Sequence, residues 1–302
     1  MPEAKTAVLI LTFNAGRNFE NLLDGLQKQT VKPSEIIVVD SDSVDGTPQL
    51  AASRNCRVIK INRVDFDHGT TRNMAVELAD GSEFVIFLTQ DAIPANEYMI
   101  AELIKPMQTD TNIAICYGRQ LPNRDAAPLE CFAREFNYPD NSILKTKNDI
   151  KIMGLKTFFC SNTCSAISCS IFNKLNGFKN NVIVNEDMLF AAKTIINDYS
   201  VYYSAAAQVY HSHIYSLPLI FRRYFKIGQF FADNTEILKY ANLGGYSGDM
   251  LKAGIKRFWK KRMPYCIFAL FAEFVIKVFA FKLGWYFQML FCKRHNIIYL
   301  QS

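Results

Sequence analysis

Over the first 120 residues, short apolar runs alternate with stretches of helical period. Residues 7–13, Glu35–Asp40, 57–61, Phe84–Thr89 and 113–119 are rich in β-branched and aromatic side chains and predict strands of a largely parallel sheet. Between them, residues 17–28, 47–54, 70–78 and 96–107 place apolar side chains at helical spacing. Strand and helix in alternation predict an α/β doubly wound fold with helices on both faces. Ligands of such sheets bind beyond the carboxyl ends of the strands, so the residues just past each strand matter most.

The pattern then changes. Residues 122–149 are polar and aromatic without a clear period and predict a long excursion over the site. A strand at 164–171, a helix from about Glu186 to Ile196, a strand at 201–210 and a helix after Pro218 follow. Composition shifts again near Gly244-Gly245, and no internal repeat is present. The division expected is a catalytic domain over 1–240, with halves of about 1–120 and 121–240, and a C-terminal helical segment over 241–302.

Within that segment, Pro264–Phe291 is dense in Phe, Leu, Ile and Val, but Glu273, Lys277, Lys282 and Gln288 interrupt it. It holds no charge-free run of the roughly 18 residues a spanning helix needs. On a helical projection Glu273, Lys277, Gly284 and Gln288 share one narrow stripe, and the rest is apolar. Lys252, Lys256, Arg257, Lys260, Lys261 and Arg262 precede it, and Lys293 and Arg294 follow. An apolar amphipathic helix with basic flanks predicts attachment in the plane of an anionic membrane surface. Each such cation contributes about 1 kcal/mol near that surface. Packing against the catalytic domain, or against a second subunit in a homo-oligomer, is the alternative. Nucleic acid is not expected, because the basic cluster abuts an apolar helix and not a broad polar face.

Composition adds little to this. Half of the 302 residues are hydrophobic, enough for a sizeable core, and the formal charge is only +6. The first residues carry no apolar run behind a basic stretch, so no secretory leader is expected. Eight cysteines occur without a Cys-x-x-Cys pair, which predicts reduced, packed thiols and no structural zinc.

The candidate chemistry lies at the strand ends. These carry Thr12-Phe13-Asn14, then Asp40-Ser41-Asp42-Ser43 with Asp45-Gly46-Thr47, then Thr89-Gln90-Asp91. An acid there can bond a base or ribose, or hold a cation against a diphosphate; a turn or helix cap is the plainer role. Neither a Gly-x-Gly-x-x-Gly turn nor a Walker lysine loop is present, so a diphosphate needs a cation or basic side chains. Arg72 stands in the first turn of a helix, where the dipole disfavours a cation unless an anion joins it. Glu186-Asp187 opens another helix, and two of the four histidines, His211 and His213, end a strand on one face.

Taken in order, Thr12-Phe13-Asn14, Asp40, Asp45-Gly46-Thr47, Arg72-Asn73, residues 87–94 and Asn185-Glu186-Asp187 resemble family 2 of the glycosyltransferases over roughly residues 5–230. The resemblance implies the Rossmann-like A-type fold and an inverting transfer from a nucleotide-sugar donor. It places Thr12, Phe13, Asn14, Asp40, Asp42, Gln90 and His213 around the donor and Arg72 on its diphosphate. Asp91, with His211, would hold Mg²⁺ or Mn²⁺. Asp187, with Glu186 beside it, would be the general base. Thr89 stands where the family's first metal aspartate is usual.

Residues 64–73, His211-Ser212-His213 and Arg222-Arg223-Tyr224-Phe225-Lys226 further resemble bacterial rhamnosyltransferases of surface-polysaccharide assembly. That implies dTDP-L-rhamnose as donor, a lipid-linked saccharide as acceptor, and peripheral attachment at the cytoplasmic face of the plasma membrane. Transfer from a UDP-linked hexose or N-acetylhexosamine is one alternative. A catalytically silent membrane scaffold, suggested by Thr89, is the other.

Overall fold

A computed structural model describes residues 4–182, 184–213, 215–240 and 246–291. The strands are β1 (Thr6–Thr12), β2 (Glu35–Asp40), β3 (Arg57–Lys60), β4 (Phe84–Thr89), β5 (Ile93–Pro94), β6 (Ile113–Leu121), β7 (Ile143–Lys145), β8 (Cys164–Ser168) and β9 (Ser200–Tyr210). The first helices are α1 (Asn18–Gln27), α2 (Thr47–Ser53), α3 (His68–Leu78), α4 (Met99–Thr109), α5 (Pro128–Asn137) and α6 (Ile150–Met153). They are followed by α7 (Cys169–Lys174), α8 (Glu186–Ile196), α9 (Leu217–Asp233), α10 (Tyr246–Lys260) and α11 (Pro264–Phe291).

One sheet runs β3-β2-β1-β4-β8-β6-β9-β5, with β7 also on β9. β1 to β4, β6 and β9 point one way; β5, β7 and β8 run against them. The central strands are covered on both faces, which is why they read as unbroken apolar runs. Alternate residues serve opposite layers. Ala7, Leu9, Ile37 and Phe87 pack with Ala75 of α3 and Leu189 and Phe190 of α8. Val8, Ile10, Val38 and Ile86 pack with Leu22 and Leu26 of α1 and Leu103 of α4.

Two expectations change. The stretch 122–149 is not an irregular excursion: it contains α5, begun by Pro128, and β7, paired with β9. Leu129, Phe132 and Phe136 recur at helical spacing, but the surface they bury against comes from α10 and α11 more than a hundred residues later. Also, the strand expected over 164–171 stops at Ser168, and α7 starts at Cys169, whose N–H bonds the Glu83 carbonyl.

The C-terminal segment shares the core of the rest. Phe258, Cys266 and Leu270 cluster with Phe132 of α5, and α11 lies along α9. There the two backbones touch. A Cβ added at Gly284 would lie 2.0 Å from the Phe225 carbonyl oxygen, and one at Gly228 would lie 2.1 Å from that of Phe281. Nothing in between can yield, so both positions exclude any side chain. The polar stripe of α11 faces inward: Gln288 bonds Gln229 and Asp233 of α9, and Lys277 lies over the Tyr224 ring while pairing with Glu273. The outward face is apolar, with Phe268, Phe271, Phe279, Tyr286 and Leu290 all more than half exposed. Gly244 and Gly245, where composition shifts, lie outside the described residues, as do Lys293 and Arg294.

Two glycine substitutions on neighbouring helices therefore have opposite signs. Gly284→Ala forces α9 and α11 apart and should cost about 1–3 kcal/mol, as overpacking of a tight contact does. Gly248→Ala in α10 meets nothing within 4 Å and should stabilise by about 0.5–1 kcal/mol through helix propensity. Urea unfolding of both variants checks this; an unchanged midpoint for Gly284→Ala would contradict the helix contact.

Candidate active site

The site forms where the chain leaves β4 and turns toward β9. Ala92 N–H bonds Thr89 O to close the turn, and β5 then pairs antiparallel with the end of β9, Ile93 opposite Tyr210 and Pro94 opposite Val209. That pairing brings the turn that holds Asp91 beside the segment after β9 that carries His211 and His213. His211 N–H bonds Leu121 O and carries the β6 ladder one residue past β9. The Ser212 hydroxyl accepts from Asn123 N–H at 2.9 Å and ties the same segment to the loop after β6.

Asp91, His211 and His213 therefore converge. Asp91 Oδ1 is 3.5 Å from His211 Nε2, Asp91 Oδ2 is 3.3 Å from His213 Nε2, and the two Nε2 atoms are 2.9 Å apart. Two ligands held at about 2.1 Å from one ion at right angles lie about 3 Å apart, so the two Nε2 atoms suit neighbouring positions on a divalent cation, and one Asp91 oxygen within 4.8 Å of both can complete the set. Burial opposes ionisation of Asp91, but the His211 contact and the two imidazoles outweigh it and hold its pKa at about 2. His211 is buried, and its Nδ1 meets Gln120 Oε1 at 3.0 Å. Gln120 Oε1 also accepts from Arg134, and its amide nitrogen donates to Ser161 Oγ at 3.0 Å. The amide is thus oriented with oxygen toward the imidazole. Nδ1 donates to that oxygen, and the ring turns Nε2 toward Asp91 and His213. His213, expected at the donor, joins the metal-type cluster, and with His211 it offers ligands that Thr89 cannot.

Asp187 lies at the start of α8, behind the loop before β8. Its Oδ1 accepts from Met188 N–H at 2.7 Å and its Oδ2 from Asn162 N–H at 3.2 Å. Burial, and then the adjacent Glu186 carboxylate, push its pKa up to about 7; Arg72 and the two backbone donors pull against this. A carboxyl poised there suits a general base near neutral pH. Glu186 is buried and paired to Arg72, with Asn162 Nδ2 also on its Oε1 at 3.3 Å. Glu186, expected beside the base, and Arg72, expected on the diphosphate, are thus paired with each other.

The donor candidates divide in the same way. Asp40 is buried, and its oxygens accept from Thr12 Oγ1 (2.8 Å), Ser43 N–H (2.9 Å) and Ser43 Oγ (2.6 Å). Gln90 brackets the backbone of Phe13, accepting from its N–H at 2.8 Å and donating to its carbonyl at 3.2 Å. Thr12, Asp40 and Gln90 thus shape the loops and offer few open atoms. The exposed groups are Phe13, stacked by Arg63 at 3.3 Å, and Asp42 and Asn14, both held at positive φ. A pocket of about 460 Å³ is lined by Asp91 itself, with Asn18, Asn21, Asn123 and Arg124. Sequence reasoning missed Gln120, Asn162 and Arg124. Their roles depend on chain segments that meet only in the fold.

Known proteins are similar to this chain in sequence and in fold. The model of Glycosyl transferase family 2 matches residues 7–175. The chain is 40% identical over 285 residues to the O-antigen chain rhamnosyltransferase WbaN of Salmonella anatum, covering 94% of this chain and 90% of that protein. Its identity to the O-antigen chain rhamnosyltransferase RfbN of Salmonella typhimurium strain LT2 is 41%, covering 95% and 91%. Among solved structures, the mannosyltransferase PcManGT of Pyrobaculum calidifontis, in complex with GDP-Man and Mn²⁺, superposes with a TM-score of 0.63 at 15% identity, over 96% of this chain and 88% of that one. That similarity shows the A-type fold. Matched over more than half its length by the family model and nearly end to end by its relatives, this chain belongs to family 2 of the glycosyltransferases.

Proposed function

We propose that this protein transfers L-rhamnose from dTDP-L-rhamnose to a lipid-linked saccharide in surface-polysaccharide assembly, at the cytoplasmic face of the plasma membrane. The observation that carries the chemistry is a carboxyl poised near neutrality, Asp187, in the same fold-end as a metal-type cluster. The names of the two relatives support the sugar.

Asp187 takes the proton of the acceptor hydroxyl as its oxygen bonds the anomeric carbon. The bond from that carbon to the diphosphate oxygen breaks, and dTDP leaves. With one base and direct displacement, the anomeric configuration inverts. Arg72 and Asn162 keep Glu186 occupied, so the proton goes to Asp187 and not to its neighbour. A divalent cation on Asp91, His211 and His213 would neutralise charge building on the departing diphosphate. Imidazole ligands favour Mn²⁺ over Mg²⁺, which prefers oxygen. Because the histidines offer the ligands missing at Thr89, a silent scaffold is the weaker reading.

Attachment to the membrane is supported by α11. Among the described residues no helix is long and apolar enough to cross a membrane. Yet α11 turns its polar stripe inward and its aromatic face outward, the reverse of a helix on a water-facing surface. Lys252, Lys256, Lys260, Lys261 and Arg262 lie exposed beside it, whereas Arg257 is held by Glu135.

Two outcomes test these readings. Asp187→Asn should bind donor normally and transfer about 10²–10⁴-fold more slowly. In the wild type, activity should fall as pH drops through about 7, because the base must be deprotonated, and the variant should lose that limb. A variant with near-wild-type rates would remove Asp187 as base. Second, the full-length protein should float with anionic liposomes at low salt and less completely at high salt, since the Debye length falls from about 10 Å at 0.1 M to about 3 Å at 1 M. Protein that stays at the bottom at low salt, and is dimeric there, would make α11 a subunit interface instead.

A further inference from the structure

The segment after β9 carries a cationic surface that the mechanism above leaves unused. Leu219, Arg222, Arg223 and Lys226 on α9 are spaced at i, i+3, i+4 and i+7, so they share one face of the helix, and all four are exposed. Among the described residues, none of the three cations has an ion-pair partner. The face is anchored to the active site. Arg223 lies against the Tyr215 ring, its guanidinium carbon 5.8 Å from the centroid and one nitrogen 3.5 Å from the hydroxyl. The Tyr215 ring is 5.4 Å from that of His213, whose Nε2 is 3.3 Å from Asp91.

Three neighbours identify what such a face would hold. Arginine forks suit phosphate oxygens, which they bind in pairs. Next to them, Leu217 and Leu219 are about half exposed at 50% and 48%, and the opposite flank of α9 packs on α11, whose outward face is apolar. A water-soluble nucleotide has no use for exposed leucines, whereas a phosphorylated lipid has. The donor loops, Phe13–Asn14 and Ser41–Ser43, follow β1 and β2, whereas α9 begins past β9 with Arg223 beside Tyr215 and His213, and only its Lys226 comes within electrostatic reach of His68 at the start of α3. From this placement we infer that the Arg222–Arg223–Lys226 face of α9 binds the phosphate end of the lipid carrier on the acceptor, with its hydrocarbon running along the α11 surface. The assignment rests on the proposed transfer to a lipid-linked saccharide and names the part of the protein that recognises the lipid.

Equilibrium binding of farnesyl diphosphate, farnesol and dTDP-L-rhamnose to full-length protein in detergent tests it. Arg222→Ala with Arg223→Ala should weaken farnesyl diphosphate at least about tenfold, the loss expected of a charge-assisted hydrogen bond. Arg222→Lys with Arg223→Lys should restore most of that affinity. Farnesol and dTDP-L-rhamnose should bind both variants as they bind the wild type. A parallel loss of dTDP-L-rhamnose affinity would assign the face to the donor and overturn the inference. So would farnesyl diphosphate that binds the alanine variant as it binds the wild type, or that does not bind the wild type at all. Wild-type protein that binds farnesyl diphosphate but neither binds nor consumes dTDP-L-rhamnose would sink the rhamnose reading while leaving this face in place.

Discussion

Two backbone pairings, Ile93 with Tyr210 and Pro94 with Val209, hold the site together. β4 and β9 are separated in the sheet by β8 and β6, so Asp91 and the histidines would otherwise stand far apart. β5 closes that gap by crossing back to the end of β9, and antiparallel register then fixes which side chains meet. The fold braces this short strand from both sides. Ala95 N–H bonds Gln208 O, and α1 comes so close that a Cβ on Gly25 would lie 2.9 Å from the Pro94 ring.

The buried charges around the base obey a second constraint. Two adjacent carboxylates in a low-dielectric setting cannot both ionise cheaply. Arg72 neutralises Glu186, and Asp187 is left to hold its proton up to neutrality. Arg72, the side chain expected on the diphosphate, pairs with Glu186 and tempers the upward shift of Asp187. In the transfer proposed above, the diphosphate's charge would fall to a cation on the Asp91 cluster and to exposed cations such as Arg124.

How much of this was legible in the sequence depends on where the partners come from. β2 and β4 were read to the residue, because strands buried on both faces are marked by their own composition. The helix at Pro128–Asn137 was missed, since its three apolar residues gain meaning only against Phe258 and Leu270. The polar stripe of α11 was found, but not its direction: a pattern gives the angle between faces, and only the α9 contact says which one turns inward. Among candidate residues, Asp91, Asp187 and His211 were legible from strand ends and motif order. Gln120 and Asn162 had no such signal, because their work is to orient other side chains. Arg72 and Asp40 were visible as charges at strand and helix ends, but their internal partners, Glu186 and Ser43, were not.

The proposed transfer depends on Asp91, His211 and His213 acting as one ligand set for the cation. Mn²⁺ binding, followed by electron paramagnetic resonance of the purified protein without donor, addresses it directly. The account predicts that Asp91→Ala, His211→Ala and His213→Ala each weaken Mn²⁺ by about 10-fold or more, and that Gln120→Ala does so by about 10- to 100-fold through loss of the oriented imidazole. Wild-type affinity in His213→Ala would contradict the shared site and return that histidine to the donor.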